Sequence, residues 1–451
     1  VSRRQVLQHA SCGFGWLALS SLLHQAQAGQ ALAAEGPSAG PHFTPKAKRV
    51  IFLCMRGGPS HVDTFDYKPR LTRDHGKPGP RPGSKWFGSP WKFSPQGKSG
   101  LHISELFPEL SKHADRLCMI HSMQTDLPAH PQAMTRLHTG TSQFVRPSLG
   151  AWTLYGLGTA NEKLPGFVSI TPTGGGGGAQ NYGSAFLPAI HQGTRIGTDS
   201  RVFEDASLPN LEPRIDSKLQ RAELDYIQTL NRAKLADDRV NPEVDGVIES
   251  YELAFRMQSD MPKVLDVDRE PETMKRLYGL DRRATASFGR KCLLARRMIE
   301  AGVRFVEITH GNWDQHAQLE TALAQNCEAI DLPVAGLLSD LQSRGLLKET
   351  LVVWTGEFGR TPYAQGRDGR DHNNKAFTLW MAGGGAKGGY AYGSSGDHGH
   401  EATENPVPIA DLHATMLAML GLDHTRLTYR YAGRDFRLTD TKGHVVKEVM
   451  A

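Results

Sequence analysis

Six short segments rich in β-branched and aromatic residues restrict this chain more than any other feature: "RVIFLCM" (49–55), "LCMIHSM" (117–123), "GFVSI" (166–170), "VRFVEIT" (303–309), "TLVVWTG" (350–356) and "FTLWMAG" (377–383). Each is bounded by glycine or polar loops, and helix-patterned stretches lie between several of them. From 317 to 344, Leu319, Leu323, Cys327, Ile330, Val334, Leu337 and Leu341 recur at steps of three and four, which predicts a helix with one apolar face and a kink at Pro333. Strands joined through helices pair in parallel, and a parallel sheet is covered on both faces. The prediction is an α/β fold, a three-layer sandwich with a mainly parallel central sheet. At 451 residues the chain can bury a large core, and residues 45–440 read as a single domain without internal repeats.

Three stretches depart from this rhythm. Residues 68–100 are dense in Pro, Gly, Lys and Trp and read as a long surface loop. "GGGGG" (174–178) lacks the helix pattern that a phosphate-cradling loop requires after it, so it reads as a flexible turn. Residues 213–300 are charged and helical, and predict an insertion that packs over the sheet or on a partner.

The first 34 residues read as an address label. Arg3 and Arg4 precede the uncharged "HASCGFGWLALSSLL", and small-residue cleavage sites follow at "AQA" (26–28) and "ALA" (31–33). This resembles a twin-arginine export signal; an amphipathic first helix is the other reading. The apolar run is shorter than the roughly 20 residues a spanning helix requires. The expectation is a periplasmic or extracellular protein without stable membrane insertion after processing. A formal net charge of +5 is too mild to imply a nucleic-acid partner. Five scattered cysteines, with no C-x-x-C pair, indicate neither a thiolate zinc site nor a disulfide framework.

Open parallel sheets collect their chemistry at the carboxyl ends of the strands. The loop after 49–55, "RGGPSHVDTFD", carries His61, Asp63 and Asp66; the loop after 117–123 carries Asp126 and His130. After 303–309 come His310, Asp314 and His316. After 350–356 come Glu357 and Arg360 in "EFGRTP", then Asp371 and His372 in "GRDHNN". Any one of these is an ordinary loop hydrogen-bonder. Sorted to the strand ends together, they predict a divalent metal site. Imidazole and carboxylate without thiolate suit zinc first, with manganese or iron as alternatives, better than calcium. The candidates exceed one tetrahedral shell, so one or two ions are expected.

"GGPSHVDTFD", "NWDQHAQL", "GEFGRTP", "GRDH", "MAGGGAKGG" and "PVPIADLHATMLAMLGLD" resemble the hallmarks of the domain of unknown function 1501 family. Those are exported bacterial proteins, abundant in planctomycetes, described as sulfatase-like and placed in the alkaline phosphatase superfamily. The resemblance implies an alkaline phosphatase-like fold in which "TGEFG" (355–359) stands where that superfamily has T-x-D-H-G. Glu357 then replaces an aspartate ligand, Phe358 replaces its neighbouring histidine, and Asp314 and His316 correspond to ligands of the other site. Counting back from Thr139 and Gly140 puts His130 where the nucleophile would stand. His130 is then a metal ligand or a direct phosphoryl acceptor, activation of water by a cation is the other route, and Ser60 and Thr64 are fallback nucleophiles.

The expected function is an exported metal-dependent hydrolase of sulfate or phosphate esters, acting on a small anionic ester or a sulfated polysaccharide. His130 and Arg360 are its predicted catalytic residues. Asp63, His130, Asp314, His316, Glu357 and His372 are its predicted metal ligands. Arg360 either holds the anion's charge or organises its own loop, and Lys387 helps bind substrate. The alternative is a catalytically inactive metal-containing binding protein for anionic glycans or a partner surface, with Trp86 and Trp91 stacking on sugars.

Overall fold

The computed structural model describes residues 40–197, 203, 208, 211–213, 215–237 and 242–451. The export signal expected at 1–34 lies outside the described residues. All six predicted strands form. In chain order the sheet strands are β1 Arg49–Met55, β2 Leu117–Gln124, β3 Phe167–Ile170, β4 Thr194–Ile196, β5 Phe305–His310, β6 Thr350–Thr355, β7 Phe377–Ala382, β8 Tyr390–Tyr392 and β9 Val407–Pro408. Their order is β8-β2-β7-β6-β1-β5-β3-β4, with β9 also pairing β2. Among the described residues β7 alone runs against the rest, antiparallel to both β2 and β6.

Alternation along the central strand builds two cores. Ile51, Leu53 and Met55 face one side, where they meet helix α5 (Ala286–Glu300) and helix α6 (Leu319–Ser343). Val50, Phe52 and Cys54 face the other, against α1 (His130–Thr139), α2 (Leu149–Leu157) and α7 (Ile409–Met419). Each fully buried aliphatic or aromatic side chain contributes roughly 1.5–3 kcal/mol. Two such layers around one sheet are the predicted sandwich. The seven apolar positions read on 317–344 are all buried in α6, which stays helical through Pro333.

Other segments differ from their sequence reading. The 68–100 stretch is partly structured, with a helical turn at Pro69–Arg73 and a strand, Phe93–Gln96, paired with Leu101–Ser104. Helices α3 (Ser217–Asp237) and α4 (Pro242–Leu265) stand in the predicted insertion. Residues 286–300, counted with that insertion, instead form α5; Cys292, Leu293, Leu294, Ala295, Met298 and Ile299 are buried against the sheet. "GGGGG" leads only into the short turn Gly178–Asn181. Among the described residues no helix is long and apolar enough to cross a membrane.

Candidate metal centre

Four side chains from three separate loops meet beyond the carboxyl ends of β2, β5 and β6. His130 opens α1, Asp314 and His316 lie in the loop between β5 and α6, and His372 sits on the hairpin Gly359–Gln365/Gly369–Asn373. One ligand atom from each lies within 4.8 Å of all the others. Asp314 Oδ1 is 3.2 Å from His130 Nε2, 2.8 Å from His316 Nε2 and 3.3 Å from His372 Nε2. The Nε2 atoms of His316 and His372 are 3.0 Å apart.

The far nitrogen of each ring settles what the near one can do. His130 Nδ1 donates to Glu357 Oε1 at 2.6 Å, His372 Nδ1 to the Pro128 carbonyl at 2.7 Å, and His316 Nδ1 to Gln365 Oε1. A neutral imidazole holding its hydrogen on Nδ1 presents a lone pair at Nε2. Three lone pairs and a carboxylate oxygen therefore point at one another, an arrangement that repels itself unless a proton or a cation lies between them. His130 Nε2 is buried, and Asp314 Oδ1 at 3.2 Å is the polar atom it faces. Nitrogen and oxygen donors in this number, each imidazole oriented from behind by an oxygen, fit a divalent transition metal.

The electrostatics favour positive charge at the same point. Burial opposes an imidazolium at His130, but hydrogen bonds to Asp314 and Glu357 outweigh it and bring its pKa up to about 9. Burial likewise raises the Asp314 carboxyl, and His130, His372 and Arg360 together hold it well below the usual carboxylate range.

Local backbone geometry explains the glycines and turns of this rim. Gly57 has φ +120°, and a Cβ there would lie 2.6 Å from the Asp314 nitrogen. Its N–H donates to both Glu357 oxygens, at 2.9 and 3.1 Å. The Asp314 loop is bracketed by Asn312 (φ 71°) and Gln318 (φ 54°), left-handed positions that cost energy and tend to persist where the surroundings enforce them. Asn326 and Gln315 do so here by donating to the Asn312 carbonyl at 2.7 and 2.9 Å.

Four of the predicted ligands thus come together and two do not. Glu357, predicted as a ligand, is fully buried behind His130. Asp63, also predicted as a ligand, is fully buried in a two-pronged pair with Arg370 (2.7 and 3.0 Å) and accepts from Ser60 at 2.5 Å, so its charge is matched away from the cluster. Arg360 is fully buried; it donates to Asp314 Oδ1 at 2.5 Å and to the carbonyls of Gly57, Gly58, Trp313 and Arg370. Its guanidinium organises the loops rather than facing outward. Ser60 and Thr64 are buried, Thr64 donating to the Ser60 carbonyl.

The remaining strand-end candidates are engaged locally: His61 with the Gly399 carbonyl, Asp66 with Lys68 and Ser395, Asp126 with Arg136, and His310 with the Trp313 indole. Asp371 accepts from the His372 N–H at 2.8 Å. Lys387 stands at the opposite edge, because β7 runs antiparallel and delivers "GGGAKGG" to the amino ends of its neighbours, where the Lys387 N–H meets the Val449 carbonyl. Trp86 stacks on His398 and Trp91 packs against a core. The residues sequence reasoning missed are Gln365, whose amide carries no motif, and Pro128, which acts through a carbonyl that every residue has.

An α/β protein with a strand-end cluster of metal-ligating type is the class that this fold and site define. The family model described as "Protein of unknown function (DUF1501)" matches residues 47–450, and the chain belongs to that family. No curated protein matches it. Among solved structures it is similar to the PsFucS1 sulfatase from Pseudoalteromonas sp., at 12% identity over 83% of this chain and 68% of that one, with a TM-score of 0.37. It is also similar to the lipoteichoic acid synthase LtaP from Listeria monocytogenes (9%, 88% and 77%, 0.38). A third is the alkaline phosphatase from the Antarctic bacterium TAB5 (12%, 79% and 96%, 0.35).

Proposed function

We propose that this chain is an exported metal-dependent hydrolase of sulfate or phosphate esters, with zinc as the leading ion. The observation that carries the reading is the convergence of three imidazole Nε2 atoms and Asp314 Oδ1 at a rim where the Asp314 side chain is 43% exposed. His130, His316, His372 and Asp314 would hold the ion. When bound, it would polarise the ester and raise the acidity of water. Glu357, Gln365 and the Pro128 carbonyl fix the three rings. Arg360 anchors Asp314 from beneath. The burial of Ser60 and Thr64 favours attack by water over a serine or threonine ester intermediate. Export is part of the proposal through the signal-like segment at 1–34. Metal-loaded protein assayed on panels of sulfate and phosphate esters should turn over at least one member, and His130→Ala and Asp314→Ala should abolish that turnover. Uniform inactivity of protein carrying a bound metal overturns the reading.

One observation favours a second reading, a metal-containing binding protein for anionic glycans. Arg360 is enclosed by five oxygen acceptors and offers nothing to an anion, and four protein donors are enough to close a tetrahedral shell. Glycan binding that persists in the same two variants without turnover selects it.

A further inference from the structure

We infer that Glu357 is a positioning carboxylate for a single-ion centre, holding His130 in register, rather than a ligand of a second ion. This rests on the metal reading above and deepens it.

The burial of Glu357 is complete, so its charge needs partners of its own. Two donors reach its two oxygens: the Gly57 N–H, shared between Oε1 and Oε2, and His130 Nδ1–H to Oε1. The His130 ring stands between this carboxylate and the point where the four ligand atoms meet, since its Nδ1 faces Glu357 and its Nε2 faces Asp314. A carboxylate so placed fixes the tautomer and ring direction and makes Nε2 a stronger donor to a cation. The other two rings receive neutral acceptors, the Gln365 amide and the Pro128 carbonyl. Of the three orienting groups Glu357 alone is charged, so His130 is the ring most strengthened.

The residue after it closes off a second ion. The Phe358 ring is fully buried with its centroid 4.7 Å from those of both His130 and His372, and a Cβ on Gly58 would lie 2.7 Å from its Cδ2. An apolar ring wedged this tightly fills the flank of the cluster and supplies no donor.

The test is titration of the full chain with Zn²⁺ by calorimetry against a competing chelator, with elemental analysis, for the wild type and Glu357→Gln. One ion per chain is expected in both, bound about 10- to 100-fold more weakly by the variant, whose amide meets the Gly57 N–H with a donor or loses the His130 bond. Two ions in the wild type, or none in a folded variant, makes Glu357 a ligand and overturns the inference. Unchanged affinity overturns it too, while leaving the metal reading intact. A wild type that binds no zinc removes both. Nitrogen-15 spectra of the zinc-loaded wild type test the same point without a mutation. The His130 Nδ1 should carry a slowly exchanging proton, and a metal-bound Nδ1 overturns the assignment.

Discussion

Asp63 and Asp314 each bond a fully buried arginine on neighbouring loops of one rim, yet only one of them belongs to the candidate centre. Asp63 meets Arg370 through both oxygens at zero exposure and takes a third bond from Ser60, so its charge is already matched inside the protein. Asp314 meets Arg360 through one oxygen, is 43% exposed, and shares that oxygen with three imidazole nitrogens. Residue type does not separate the two, since both are aspartates after a parallel strand. What separates them is whether the neighbours satisfy the carboxylate or leave lone pairs crowded around a space that a cation can enter.

The sharpest way to break this comparison is Asp63→Ala, which would strand the Arg370 charge in the interior and should cost about 3–5 kcal/mol in denaturant unfolding. A loss below 1 kcal/mol would mean the closed pair is not closed. Next is Gly57→Ala, whose Cβ would press on the Asp314 backbone; about 1–3 kcal/mol of stability should go, together with zinc affinity, because the same loop carries both. Asp314→Ala should cost less, about 1–2 kcal/mol, because Arg360 keeps four backbone carbonyls and water can reach the gap. Its zinc affinity, by contrast, should fall at least about a hundredfold. The contrast between a stability residue and a binding residue fails if the two aspartate variants behave alike.

A smaller effect concerns pH. The folded-state pKa of His130 is raised from 6.5 to about 9, so in zinc-free protein its contribution is fully present below 6.5 and is lost as pH rises through about 9. Denaturation midpoints measured from pH 6 upward should fall across that window, and Glu357→Gln should flatten the fall. The smallest effect belongs to Lys387→Ala, at the far edge of the sheet. Stability should move by under about 0.5 kcal/mol, and zinc affinity and any turnover not at all.

Much of this protein was determined by its sequence alone. Six apolar segments became six strands because short runs of β-branched residues between helical patterns have no other way to bury both faces. His130, Asp314, His316 and His372 were legible as strand-end donors of the right chemical type, and the family resemblance was legible in contiguous motifs. Tertiary structure alone decided which donors act together. It set Asp63 against Arg370, put Glu357, 227 residues from His130 in sequence, behind that imidazole instead of beside the ion, and reversed β7 so that Lys387 left the rim. Coordination depends on where a lone pair points and on what else already holds it. Those are properties of contacts between distant segments, and neither can be read from the identity of a residue.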